Sequence, residues 1–382
     1  MAVDVLRRAA DKSSTVADHI KLGFGYSRIG MFEEAESILT LVWRHLPAWE
    51  QSAIAVVSEL ATVKYHLGKF DDGAALEKLV MDGDRFQNLS SFPPDLRDAF
   101  RQVLREKLIA DEQSLAGKSV FVLWVGGNGD CIEHSRNIER IVAEGACAVF
   151  ADPAEPLREL FSNSTLPFFL QPATVENLAR CDAIAFANML SWRYYHSELS
   201  TLPRPGYMRA ARERPVNIRI SGPIGKRKVG IVWRSINGTR HSCRHEPFRS
   251  MDLSTLEPLL VSGEVQFYSL QYGEHEDHER ERLAHFGVVD VSPYIRTFAD
   301  LADVMMQLDL VISIDSAPAH LAGALDIPVW NLLSRVADWR WGAAGNRTTP
   351  LYPSMRLFRQ SMLGDWTPVV AEMVSEIACV QQ

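Results

Sequence analysis

The sequence predicts an α/β protein of two doubly wound lobes, preceded by an all-helical segment. Three observations carry this reading. At 382 residues the chain exceeds one ordinary core, so two or three domains are expected. Up to about residue 115, apolar residues recur at helical spacing with almost no strand pattern, and no proline stands before Pro47. Beyond that point short apolar runs alternate with helical stretches, twice over, which is the pattern of parallel sheets covered by helices. The expected domains are a helical one over 1–115, a first lobe over 116–222 and a second over 223–382.

In the helical segment two stretches resemble each other, LGFGYSRIGMFEEAE (Leu22–Glu36) and LATVKYHLGKFDDGAA (Leu60–Ala75). Gly30, Phe32, Glu33, Glu34 and Ala35 align with Gly68, Phe70, Asp71, Asp72 and Gly73–Ala74, 38 residues on. The glycine suits the turn of a helical hairpin, and the small residue lets the paired helices approach. The pattern is similar to tetratricopeptide (TPR) repeats, whose usual period is ~34. A plain helical bundle is the alternative.

The first lobe opens at KSVFVLWVGGNGD (Lys118–Asp130): a buried-type strand, a Gly-rich turn, then a helix expected from Glu133 to Glu144. Cys147–Phe150 and DAIAFANML (Asp182–Leu190) read as further strands, and Leu202–Pro223 as a linker. In the second lobe Lys228–Arg234, Val265–Gln271 and Asp309–Asp315 read as strands. Helices fit at Leu253–Leu260, Glu276–Phe286 and Phe298–Gln307. Two such lobes imply a ligand cleft lined by loops at the carboxyl ends of strands.

The strongest local signal is DLVISIDSAPAHLAGALDIPVW (Asp309–Trp330). An apolar strand ends at Asp315, and Ser316 and Pro318 announce a helix with a capping hydroxyl and a proline in its first turn. The helix is built from Ala, Gly and Leu, and its first N–H groups suit an anion. His320 falls in that first turn, as an oxyanion donor or as a core histidine. GGNGD (Gly126–Asp130) is not a dinucleotide fingerprint. Its glycines allow close approach, and Asp130 is either a general base or the cap of the following helix. The loop WRSINGTRHSCRHEPFRS (Trp233–Ser250) carries four arginines and suits a diphosphate. HEDHERERLAH (His275–His285) fits a solvated helix rather than a zinc site.

Composition narrows the function classes. A formal charge of −8 argues against an extended nucleic-acid surface. Five dispersed cysteines without a C-x-x-C pair read as reduced thiols and offer no ready metal site. The start of the chain lacks a signal-peptide core, and no run reaches the ~18 apolar residues of a membrane span, so a cytoplasmic protein is expected.

DLVISIDSAPAHLAGALDIPVWNLL, DWRW (Asp338–Trp341) and YPSMRLFRQ…GDW (Tyr352–Trp366) resemble the C-terminal half of bacterial TPR glycosyltransferases. These are relatives of the family nine heptosyltransferases and, more distantly, of O-linked GlcNAc transferase. VGIVWR, Arg249, SLQYG (Ser269–Gly273) and GNGDCIEHSRNI fit the same family, so the resemblance covers about 118–370. It implies a GT-B fold of two Rossmann-like lobes behind the TPR-like domain. The activity implied is metal-independent, inverting transfer from a nucleotide-sugar co-substrate, with no other cofactor. Asp130 matches the general base, beside an acceptor-side loop of Gly127, Asn128 and Gly129. Asp315, Ser316, Ala317 and His320 match the diphosphate-binding segment. Ser235, Asn237 and Arg240 match the loop on its other side, and Gln271 lies toward the nucleoside. Departures are Ser316 for a usual Thr, Asp326 for a common Gly, and no lysine after Arg234. The first lobe is also short for a heptosyltransferase. The expected acceptor is a protein, flagellin-like or another surface protein, recruited by the helical domain. A saccharide acceptor and a catalytically inactive adaptor are the competing readings; self-association is left open.

Overall fold

The computed structural model describes residues 15–46, 51–82, 94–110, 113–124, 126–195, 206–208, 218–235, 246–261, 265–273 and 277–379. The described residues divide into two compact units. One holds those of Met1–Gln102 and Arg335–Gly345; the other holds those of Val103–Tyr195, Leu199–Ser334 and Asn346–Gln382.

The first unit is helical: α1 (Val16–Arg28), α2 (Phe32–His45), α3 (Gln51–His66), α4 (Phe70–Asp82) and the start of α5 (Pro94–Lys107). Gly30 and Gly68 turn α1 into α2 and α3 into α4 with φ of 81° and 72°, a region where only glycine is at ease. Small residues then permit close packing. A Cβ on Gly23 would meet the Leu39 side chain at 2.6 Å, and one on Gly73 the Tyr65 ring at 2.2 Å. The hairpins are stitched together by buried Ser27, which donates to Glu59 at 2.6 Å, and by Lys64 and Lys69 on Glu36, each at 2.7 Å. Burial raises the Glu36 carboxyl, but its two lysines outweigh that and hold it below the ordinary range.

The second unit contains both lobes. The first lobe runs β1 (Ser119–Leu123), α6 (Asn128–His134), α7 (Asn137–Ala143), β2 (Ala148–Ala151), α8 (Glu155–Ser162), β3 (Phe169–Leu170), α9 (Val175–Arg180), β4 (Ala183–Phe186) and α10 (Ala187–Tyr195). Its sheet has the order β3-β2-β1-β4, all parallel. The second lobe runs β5 (Arg227–Val232), α11 (Glu246–Arg249), a 3-10 turn (Leu253–Leu256) into α12 (Glu257–Leu260), β6 (Val265–Ser269), α13 (Asp277–His285) and β7 (Val289–Asp290). It continues with α14 (Phe298–Met305), β8 (Leu310–Ile314), α15 (Ala317–Ala324), β9 (Val329–Leu333), β10 (Met355–Arg359) and α16 (Thr367–Cys379). Its sheet has the order β10-β9-β8-β5-β6-β7, again all parallel. Strands β1, β4, β8 and β9 are almost wholly buried and apolar but for Ser119, Ser313 and Asn331, as strands covered on both faces must largely be.

Two expectations need correction. DAIAFANML is a strand only to Phe186; from Ala187 it is helix, because an apolar run without a period does not mark where strand gives way to helix. The single helix over Glu133–Glu144 is two helices, and the first begins earlier, at Asn128. The break has a local cause. Ser135 Oγ donates to the Ile132 carbonyl at 2.7 Å and Arg136 Nε to the Glu133 carbonyl at 2.8 Å, so side chains take the acceptors the next turn would have used.

Candidate active site

In each sheet the first strand lies between its two neighbours, so chain direction across the sheet reverses beside it. In the first lobe this happens between β1 and β4, in the second between β5 and β8. Ligands of open α/β sheets bind outside the carboxyl ends of strands at such points. The carboxyl end of β1 delivers Gly126–Asp130, that of β5 delivers Arg234 and Ser235, and that of β8 delivers Asp315 and Ser316.

Gly127, Asn128, Gly129 and Asp130 form the start of α6 rather than a free turn. Asp130 Oδ2 accepts the Gly127 N–H at 2.8 Å, so the carboxylate does cap its helix and is fixed in direction by doing so. The neighbouring Cys131 thiol is buried and, with Asp130 beside it, pushed up to about 12, which makes it inert as a nucleophile. The close approach that Gly129 permits is to the second lobe. A Cβ there would lie 2.9 Å from His320 Cδ2 and 3.4 Å from Ala317 Cα. The first turn of α6 therefore faces the first turn of α15.

Ser316 stands at the N-cap of α15, but its hydroxyl does not cap the helix as expected. It donates to the Ile314 carbonyl at 3.0 Å and meets Ser313 Oγ at 3.1 Å. Nor is the helix start richly supplied with bare N–H groups. Pro318 has none, and the amides of Ala319 and His320 both turn back to the Ser316 carbonyl, at 2.9 and 3.3 Å. The half-buried Ala317 amide heads the helix, directly beneath Gly129.

His320 is 4% exposed. Its Nδ1 is hydrogen-bonded to the Tyr352 hydroxyl at 2.9 Å and lies 3.8 Å from the buried Glu133 carboxylate. The imidazole thus sits inside a polar cluster spanning both lobes, with Arg136 and Tyr207 completing it. Burial, with Tyr207 next to it, pushes the Tyr352 hydroxyl well above its usual range. Burial opposes the Arg136 charge, but Tyr207, Tyr352 and Glu133 more than reverse that and keep the guanidinium charged.

Ser235 belongs to a second cluster. Its N–H donates to Ser250 Oγ at 3.0 Å and its hydroxyl accepts from Arg249 at 2.9 Å. Gln271, 1% exposed, spends its amide on the backbone. Oε1 accepts from the Trp233 and Arg234 N–H groups at 3.1 and 2.9 Å, and Nε2 donates to the Arg234 and Tyr272 carbonyls at 3.0 and 3.3 Å. Asp315 lies at the end of β8; desolvation holds the half-buried Arg359 guanidinium below its ordinary range, and the Asp315 charge offsets this only in part. Asn237 and Arg240 lie outside the described residues. The structure therefore brings Gly129 to Ala317 and His320, groups Ser235 with Arg249, and turns Gln271 away from solvent.

Sequence reading missed Glu133, Arg136, Tyr207 and Tyr352 as parts of the cluster. No local signal marked them: Glu133 and Arg136 stand among polar neighbours such as His134, Ser135, Asn137, Glu139 and Arg140. His278 and His285 are exposed on α13, and among the described residues no three His, Cys, Asp or Glu converge as a metal would require. Among the described residues, no helix is long and apolar enough to cross a membrane.

Residues 270–354 match the family described as Glycosyltransferase family 9 (heptosyltransferase). This segment runs from the Gln271 cluster through α15 to Tyr352, so the similarity to that family falls on the second lobe. Protein FlbA of Caulobacter vibrioides is 32% identical over 155 residues, 39% of this chain. The match spans 25% of FlbA's own length. Among solved structures, E. coli ADP-heptose LPS heptosyltransferase II aligns with 69% of this chain and 100% of its own, at 14% identity and a TM-score of 0.44. The family 9 glycosyltransferase of Veillonella parvula aligns with 66% of this chain and 88% of its own, at 10% identity and a TM-score of 0.41.

Proposed function

We propose that the chain transfers a sugar from a nucleotide-sugar donor to an acceptor hydroxyl, with the acceptor on the first lobe and the donor on the second. The observation that supports this most is the meeting of two helix starts at the two switch points, Gly127–Asp130 opposite Ser316–Ala317. In this reading Asp130 takes the proton from the acceptor hydroxyl. The acceptor oxygen attacks the anomeric carbon, the bond from that carbon to the diphosphate oxygen breaks, and configuration inverts. The leaving diphosphate is met by the Ala317 amide and the Ser316 backbone, with Ser235 just past β5 and Arg249 at the end of α11; Asn237 and Arg240 keep the diphosphate role that the family resemblance gives them. His320 and Gln271 serve from behind, by shaping α15 and the end of β5. No step in this scheme calls for a metal.

The acceptor in this reading is a polypeptide held by the helical domain, whose paired hairpins resemble TPR repeats and suit extended chains. Cytoplasmic action on a surface protein before export accords with it. The family description favours a second reading, a saccharide acceptor.

Asp130→Asn tests the chemistry. The asparagine oxygen still accepts the Gly127 N–H, so the helix start is kept while the proton acceptor is lost. Turnover is expected to fall by about a hundredfold or more, within the range of general-base contributions. Melting shifts with ADP-, UDP- and GDP-sugars should be unchanged from wild type; a donor at ~100 times its Kd contributes ~2.7 kcal/mol. Undiminished turnover would remove Asp130 from its role, and a flat nucleotide panel on folded wild type would favour the adaptor. Mass analysis of the labelled product then separates peptide from saccharide acceptors.

A further inference from the structure

We infer that Arg136 is a positioning residue that pins the two lobes, holding the starts of α6 and α15 at one fixed separation. The inference rests on the proposed reading of those helix starts as the acceptor and donor sides of one site.

Arg136 is 2% exposed and belongs to the first lobe, yet most of its bonds leave that lobe. Its Nη1 donates to the Leu351 carbonyl in the second lobe at 2.8 Å. Its Nη2 donates to the hydroxyl of Tyr207, in the connecting segment, at 3.3 Å. Its Cζ also lies over the Tyr207 and Tyr352 rings, 4.9 and 4.7 Å from their centroids. Nε returns to the Glu133 carbonyl at the end of α6. A planar fork with two faces satisfies all of these at once; an ammonium on a flexible stem does not. The connecting segment joins in from both sides. Tyr207 donates to the Ile132 carbonyl at 2.9 Å, and the Met208 N–H donates to the Ala324 carbonyl of α15 at 3.1 Å.

Steric fit reinforces the pin. A Cβ on Gly129 would come within 2.9 Å of the His320 ring while only touching the Ala317 backbone, and a Cβ on Gly323 would meet the Tyr352 ring at 2.4 Å. A second tie, from Thr297 Oγ1 to Glu159 at 3.1 Å, joins the lobes away from the site. Separating the lobes would strip a buried cation of its partners, which is strongly unfavourable. The glycines and alanines facing each other thus serve a distance, and Arg136 keeps it.

Hydrogen exchange on the full chain tests this without any substrate. In both Arg136→Lys and Gly129→Ala, amides of Asn128–His134 and Ala317–Ala324 are expected to exchange about tenfold faster, as loss of a charged hydrogen bond implies. Strands β1 and β8 should keep wild-type rates. Arg180→Lys, the same change at an exposed first-lobe position, should exchange like wild type. Unchanged rates in both helices would overturn the inference. So would equal loosening of β1 and β8, or an Arg180→Lys that opens the helices as Arg136→Lys does. In transfer assays, a lowered kcat with an unchanged donor KM supports positioning, and a raised KM with unchanged kcat opposes it. If the wild type shows no transfer and binds no nucleotide, the proposed function fails while the exchange pattern still decides the pin.

Discussion

Gln271 shows how a single side chain is assigned by its bonds rather than by its address. It lies just past the end of β6, where the resemblance looks for the nucleoside, yet its amide makes four bonds to backbone groups around Trp233, Arg234 and Tyr272. Gln271→Ala would leave two N–H groups just past β5, the buried one of Trp233 and the half-buried one of Arg234, without their acceptor. The expected cost is about 2–4 kcal/mol of stability, from unsatisfied buried donors. Chemical denaturation checks this; a variant of native stability that binds nucleotide poorly would instead return Gln271 to the ligand. The sequence showed the position of Gln271, Asp130 and His320 because strand ends and helix starts are written in local patterns. It did not show their partners. Those partners are backbone carbonyls and residues far along the chain, such as Tyr352 for His320, and no local pattern encodes them.

At the level of elements, α15 departs from its usual ending in one residue. The helix closes with the Asp326 N–H on the Gly323 carbonyl at 3.1 Å and the Ile327 N–H on the Ala322 carbonyl at 2.9 Å. That closure requires a left-handed residue, and Asp326 occupies it at φ 62°, the only described non-glycine residue with positive φ. Its side chain is exposed and remote from the start of the helix. Asp326→Gly is therefore expected to stabilise the chain by about 1 kcal/mol through relief of Cβ strain. A melting curve reads this as an upward shift, and a downward one would mean that the aspartate makes a compensating contact. The same element shows what was legible. Strand β8, the turn and α15 were readable because apolar run, serine, proline and small residues follow in order. The break between α6 and α7 was not, since it depends on where the Ser135 and Arg136 side chains turn.

Across the whole molecule, the helical unit is not composed of the first hundred residues alone. The chain leaves β9 at Leu333, contributes Arg335–Gly345 to the helical unit, and returns to the lobes at Asn346 before β10. Within that unit Trp339 packs on Tyr65 with tilted rings, centroids 4.7 Å apart, and meets Phe70 edge-on at 6.0 Å, while Val336 lies against Gly30. Both hairpin turns are thus touched by a segment that sequence order assigns to the far end of the second lobe. The D-W-R-W motif, read in the sequence as part of a transferase resemblance, is in its tryptophan a packing element of the helices. Trp339→Ala removes an aromatic pair and buried ring surface, and the expected loss is about 1–3 kcal/mol, felt first in the helical unit. Limited proteolysis would then cut between Val16 and Asp82 before the lobes. If cleavage instead began in the lobes, the segment would owe its place to them. The same interlocking predicts that deleting residues 1–102 leaves Trp339 and Val336 without their partners, so a truncated chain should aggregate where the full chain does not. Its behaviour on size exclusion, beside that of a deletion carrying Trp339→Ser, reads this directly. Recovery of a monodisperse species by the serine would show that the exposed ring is the cause.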